Sequence, residues 1–377
     1  MLYYLFFLFS CVFLFLIREN RKKTITFFLC LLGVFLCFGY TTGTDWREYE
    51  KLFDVCNDED KAYLFLFYEP GFVFYLKLFK ILGFSFFPFL ILTKVIVYII
   101  VIRSLRYYCP KNTFYLSLLF YTAWYAFFLF IDNPLRNFIA MGIFFSSLKY
   151  LRERKWIPYL LMTLLAVSFH VSAIIMLVFY YFANKSYKNW KIVLFYILAN
   201  ILLLSKNVIF SVVSFLFSSI PIVGVKIDGY ATDNVNGEGK LLSIGLIIHV
   251  ILFVLIIMCR KKIENQENGK LIFMFSVISS ILFRLGLTIT VFSRFQIYLT
   301  IFYAASVGII YFAFDSRSRY MYCLFVSLIS IIPCVSHLVK DSRYIPYTNY
   351  MFFLNSKMSF DERESYNNKE SPFKPVE

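Results

Sequence analysis

The chain has 377 residues, of which 60% are apolar and 21% aromatic, and it carries a formal net charge of +15. A soluble domain is usually about 45–50% apolar, whereas apolar runs of about 17–25 residues, enough to cross about 30 Å of hydrocarbon, recur here along the whole chain. These blocks exclude a soluble domain and, because they do not alternate, a β-barrel; the basic residues cluster at the ends of the runs and form no continuous stripe, which argues against a nucleic-acid partner.

Apolar runs fall at 1–17, 25–41, 84–102, 113–131, 135–151, 156–183, 192–220, 241–259, 271–289, 291–314 and 320–339. They predict an all-α, polytopic integral membrane protein of about 10–12 transmembrane segments. One transmembrane catalytic domain would cover 1–340, with a polar tail over 341–377. Basic groups come after many runs: Arg18/Arg21/Lys22/Lys23, Arg103/Arg106/Lys111, Arg152/Arg154/Lys155, Lys185/Lys188/Lys191, Arg260/Lys261/Lys262 and Arg317/Arg319. The cytoplasmic preference of Lys and Arg is met by all six groups under one topology. Residues 156–183 must enter and return as two half-depth segments meeting near His170, and 192–220 must cross once. Both termini then lie outside. Residues 2–17 have a basic group after them and none before, the pattern of a first span rather than a cleaved leader.

The outside pieces differ in kind. Residues 42–69 form an acidic loop, and 221–240 a Gly/Asn/Asp connection. Residues 70–83 place Lys77 and Lys80 on one face of an apolar helix, which predicts an amphipathic helix at the outer surface. A span there would reverse the topology of all later segments and put three or more basic groups outside. The tail is expected to be disordered beyond Lys357. The eight cysteines include no CxxC pair and there are only three histidines, so they read as small apolar residues and no metal site is expected. No internal repeat supports an inverted-repeat transporter.

Four polar constellations then share the outer face. The first is Gly43-Thr44-Asp45-Trp46-Arg47-Glu48-Tyr49, where Asp45 and Glu48 share a helical face and Thr44 could cap the turn. It reads either as a capped surface helix or as a carboxylate with sugar-stacking aromatics. The second, Asp132-Asn133-Pro134-Leu135-Arg136-Asn137, has Pro134 in a first turn with Asp132 or Asn133 near its cap. Arg136 in that turn suits an anion, or it snorkels to lipid phosphate. The third is Ser168-Phe169-His170-Val171-Ser172, a histidine that either faces a cavity or bonds a neighbouring helix. The fourth is Arg284 and Arg294 with Ser293 and Gln296; a lone guanidinium inside an apolar run costs at least about 2.5–3.5 kcal/mol, so Arg284 calls for a partner or a bound anion.

The order of motifs resembles the EpsG-like family of Wzy-type polysaccharide polymerases. The residues that carry it are GTDWREYEKLF (43–53), YEPGFVFYLKLF (68–79), NPLRNFIAMGIFF (133–145), LLAVSFHVSAII (164–175) and SRFQIYLTIFY (293–303). Asn137 departs from the glutamine found there in many members. The resemblance implies a GT-C-like helical bundle in the bacterial inner (cytoplasmic) membrane, working at its periplasmic or exterior face without metal or cofactor. Its substrate would be undecaprenyl-pyrophosphate-linked oligosaccharide, and its partners membrane lipid and a chain-length regulator. Under that reading Arg136, Arg284 and Arg294 stabilise the pyrophosphate leaving group. Asp45, Glu69 and His170 are the candidate bases, and Trp46 and Tyr49 position sugars. Rival readings are a transporter or flippase of lipid-linked glycans, a membrane acyltransferase with His170 as base, and a non-catalytic assembly protein.

Overall fold

A computed structural model describes residues 1–58, 64–203, 243–289, 292–341, 343–356 and 358–370. Among them the chain is helical apart from turns and one isolated bridge, Gly39 to Asn349. Apolar runs become helices with nearly the expected bounds: Leu2–Leu16, Lys22–Cys37, Phe86–Tyr108, Leu135–Arg152, Gly269–Thr288 and Ser316–Lys340. Among the described residues four helices are long and apolar enough to cross a membrane: Phe86–Tyr108, Gly269–Thr288, Ser293–Ala313 and Ser316–Lys340. Shorter apolar helices accompany them, and the chain is an all-α membrane protein. The 221–240 connection and the second half of the 192–220 run lie outside the described residues.

Two compact units are present: Met1–Tyr180 with Ala304–Glu377, and Tyr181–Tyr303. In the first unit the 156–183 run doubles back. Helix Trp156–Phe169 ends at His170, whose backbone is extended, and a 3-10 turn leads into helix Ile175–Phe182. At about 1.5 Å per residue these helices reach only about 21 and 12 Å, too short to cross alone. They pack against each other: the Tyr159 hydroxyl donates to Met176 O (2.8 Å) and Arg154 Nη1 to Tyr180 O (2.6 Å). Helix Pro70–Ile81, of 12 residues, spans about 18 Å and is likewise too short to cross. Its Gly71 lies against Ser168, where an added Cβ would fall 2.3 Å from Oγ. That close approach brings the residue before Pro70 against the break at His170.

Residues 42–69 fold into more than a loop. Helix Asp45–Val55 buries Trp46, Tyr49, Leu52 and Phe53. It begins after Gly43, whose φ of +86° favours glycine and where a Cβ would meet Ile131 O at 2.2 Å. Thr44 stands at the N-cap without a side-chain cap bond; its hydroxyl donates to Asp132 instead (3.2 Å). Neither Asp132 nor Asn133 caps the Leu135–Arg152 helix, whose N-cap is Pro134, because Asn133 takes a left-handed turn.

Residues 358–370 of the tail fold, contrary to the composition of the tail. Residues 343–350 run beside 38–43, with Tyr350 N donating to Phe38 O (2.7 Å) and Gly43 N to Arg343 O (2.9 Å). Helix Phe360–Glu370 comes next. Arg363 pairs with Glu50 at 2.6 Å, and Phe360 packs on Trp46 with ring centroids 5.9 Å apart. Aromatic side chains anchor this segment, which its polar composition hides.

The second unit has its own ties. Arg260 donates to Tyr187 O, Asn189, Ser186 and Glu264. His249 is fully buried and stacked on Phe283 and Tyr303.

Candidate active site

Glu69 is the N-cap residue of helix Pro70–Ile81, with Pro70 taking the first helical position, where its missing N–H costs nothing. The carboxylate there gathers three partners from two other segments. Arg136 Nη1 donates to Oε2 at 2.7 Å. Val171 N donates to Oε1 at 3.2 Å, and His170 Nδ1 lies 3.5 Å from the same oxygen. Burial pushes the Glu69 carboxyl up, but Arg136, helped by His170, outweighs burial and holds it below its ordinary value.

His170 Nδ1 also accepts the Ser172 N–H at 3.3 Å. That bond assigns the proton of the neutral ring to Nε2. Protonation of Nδ1 would form an ion pair with Glu69. The arrangement is that of a base whose charged form has a waiting counter-ion. Ser172 Oγ donates onward to Asn137 Oδ1 (3.0 Å), so Asn137 braces the histidine loop.

Arg136 is therefore no bare anion receptor, as the sequence suggested; it is already paired. Its guanidinium lies 5.1 Å from the Tyr68 ring centroid and hydrogen-bonds the Tyr49 hydroxyl. Its Nε–H is buried without a partner. Guanidinium has five N–H donors, so pairing with Glu69 leaves capacity for a ligand. A cleft of about 540 Å³ opens beside it, lined by Glu48, Lys51, Leu52, Tyr68 and Arg136 among others. The Tyr68 hydroxyl donates to Glu48 at 2.6 Å across that lining.

The structure thus brings Arg136, Glu69, His170 and Tyr49 together. Asp45 is half-buried beside Thr44. Trp46 is 2% exposed, its indole N–H donating to Thr41 O at 3.3 Å. Its ring is enclosed by Phe87 and Phe360, so it supports the site helix and offers no face to a sugar. Tyr49 is buried too, and presents its hydroxyl to Arg136 rather than its ring to a substrate. Arg284 and Arg294 belong to the second unit; Arg284 is 2% exposed and its charge is felt by Tyr196.

Sequence reasoning overlooked Tyr68, which sits beside Glu69 and differs little from the many other tyrosines. It also overlooked a second ionic group: Arg343 bridges Asp341 and Asp132, with Nη1 3.3 Å from Asp132 Oδ2. Among the described residues no group of three or more His, Cys, Asp or Glu could hold a metal ion.

The EpsG family model matches residues 22–350, most of the chain. The chain belongs to the EpsG family. Membership places it among membrane proteins of polysaccharide biosynthesis. No curated protein and no solved structure matches it. The matched range of this EpsG member includes every site residue above. Helix Phe360–Glu370 lies beyond that range, yet its Arg363 holds Glu50 on the site helix.

Proposed function

We propose that this EpsG protein is a repeat-unit polymerase: a glycosyltransferase that joins undecaprenyl-pyrophosphate-linked oligosaccharides at the extracytoplasmic face of the cytoplasmic membrane. The observation that carries the reading is the Arg136–Glu69–His170 cluster, whose Arg136 lines an open cleft. His170 takes the proton of the acceptor hydroxyl on Nδ1, the ring nitrogen that carries none, as the hydroxyl oxygen attacks the anomeric carbon. Glu69 holds the imidazole and balances its new charge. Arg136, through the guanidinium donors that Glu69 leaves free, receives negative charge on the departing pyrophosphate. Asp45 remains a reserve carboxylate on the same helix as Tyr49. Arg284 and Arg294 are proposed as further phosphate contacts, and a chain-length regulator as a partner.

The reaction is tested by supplying purified protein with a lipid-linked repeat unit. A ladder of longer glycans is the expected product; translocation of substrate in liposomes without a ladder would move the assignment to transport. Sidedness has its own test. Glu48 is exposed at the cleft, so Glu48→Cys should react in intact cells with a maleimide that cannot cross the membrane. Labelling only after the cells are opened would place the cleft on the cytoplasmic side.

A further inference from the structure

A second cavity, of about 330 Å³, lies within the first unit. It sits between the end of helix Leu2–Leu16 and the start of helix Ser316–Lys340, and Arg18, Arg319, Ser316 and Asn112 contribute its polar lining. Arg18 is exposed in a left-handed turn (φ 52°) just past the first helix. Arg319 is fixed by its Nε–H, which donates to Phe314 O at 3.0 Å, with its guanidinium 5.1 Å from the Tyr311 ring centroid.

Neither arginine forms an ion pair with a carboxylate among the described residues. Of the neighbouring acids, Glu19 is held by Arg21 at 2.8 Å, and Asp315 accepts the Ser318 N–H at 3.1 Å and feels Arg319 without a close ion pair. The first turn of a 25-residue helix opens at the same place, adding unpaired N–H groups and the positive end of its dipole. The apolar side is equally marked, since Leu16 and Tyr320 in the lining are 59% and 70% exposed. The cavity therefore joins two guanidinium groups outside any close ion pair to an open apolar surface at the end of a membrane-crossing helix.

We propose that this cavity binds the phosphodiester of an anionic phospholipid. Arginine grips a phosphate through paired N–H donors, and the exposed apolar rim continues into the acyl chains. A headgroup carrying its own cation is disfavoured by the two arginines, which selects an anionic lipid over phosphatidylcholine. The proposal is independent of the polymerase reading.

The test uses delipidated full-length protein in detergent, titrated with dioctanoyl phosphatidylglycerol, dioctanoyl phosphatidylcholine and inorganic phosphate and monitored by native mass spectrometry. Phosphatidylglycerol should bind at least about tenfold more tightly than phosphatidylcholine. Arg18→Gln and Arg319→Gln should each weaken it about tenfold, the scale of one charge-assisted hydrogen bond. Should Arg319→Gln fail to fold, the exposed Arg18 carries the test alone through Arg18→Gln and Arg18→Glu. Equal binding of the two lipids, or phosphatidylglycerol binding unchanged in the Arg18 variants, would overturn the proposal. Inorganic phosphate binding as tightly as phosphatidylglycerol would also overturn it, by assigning the cavity to a free anion.

Discussion

Replacing Arg136 with alanine should lower chain elongation at least about 100-fold, the scale on which losing a fixed donor to a developing anion is felt. Arg136 combines contacts that no smaller residue can reproduce: Glu69 at 2.7 Å, the Tyr49 hydroxyl, the Tyr68 ring and the cleft itself. Lysine keeps the charge but not the planar set of donors, so Arg136→Lys should still lose roughly tenfold, about one charge-assisted hydrogen bond. Structural damage has to be separated from lost chemistry. Breaking a buried pair from one side costs about 3–5 kcal/mol. Less is expected here, because the Arg136 and Glu69 side chains are 21% and 15% exposed and solvent screens them in part. Arg136→Ala/Glu69→Gln removes both charges and should recover thermal stability while remaining inactive. The measurement is the initial rate of ladder growth, on protein that elutes from size exclusion like the wild type. Wild-type chain lengths in Arg136→Ala would end the role assigned to it.

The helices were legible because hydrocarbon thickness imposes a length on apolar runs. The run 113–131 becomes a helical stretch over 114–132, and the polar break at His170 marks where 156–183 turns back. The partners of Arg136 were not legible. Glu69 lies 67 residues away and Val171 reaches it from 102, and local periodicity carries no signal at such separations. Trp46 shows a second limit: helical spacing put it near Tyr49, but its ring is enclosed by Phe87 and by Phe360, the latter more than three hundred residues later. The tail misled for the same reason. Its charges suggested disorder beyond Lys357, while Phe360 and Tyr366 find aromatic partners at Trp46 and Phe353. A few anchors against a preformed surface can order a segment whose average composition would not.

His170→Gln should cut elongation by roughly 10²–10⁴, the usual contribution of a positioned base, and should also change the shape of the rate–pH profile. Glu69 has a folded-state pKa below its ordinary 4.5. The stability it contributes is thus present above that ordinary value and is lost only as pH falls through the lower folded value. Across the range where imidazoles titrate, Glu69 stays ionised and contributes no pH dependence of its own. A fall in rate on acidification through that range therefore belongs to the histidine. The two variants should differ in kind: His170→Gln flattens the profile there, whereas Glu69→Gln slows the reaction but keeps the acid limb, because the base remains and only its counter-ion is gone. An acid limb that survives in His170→Gln would remove the histidine from proton transfer and return the role to a carboxylate, with Asp45 the next to replace.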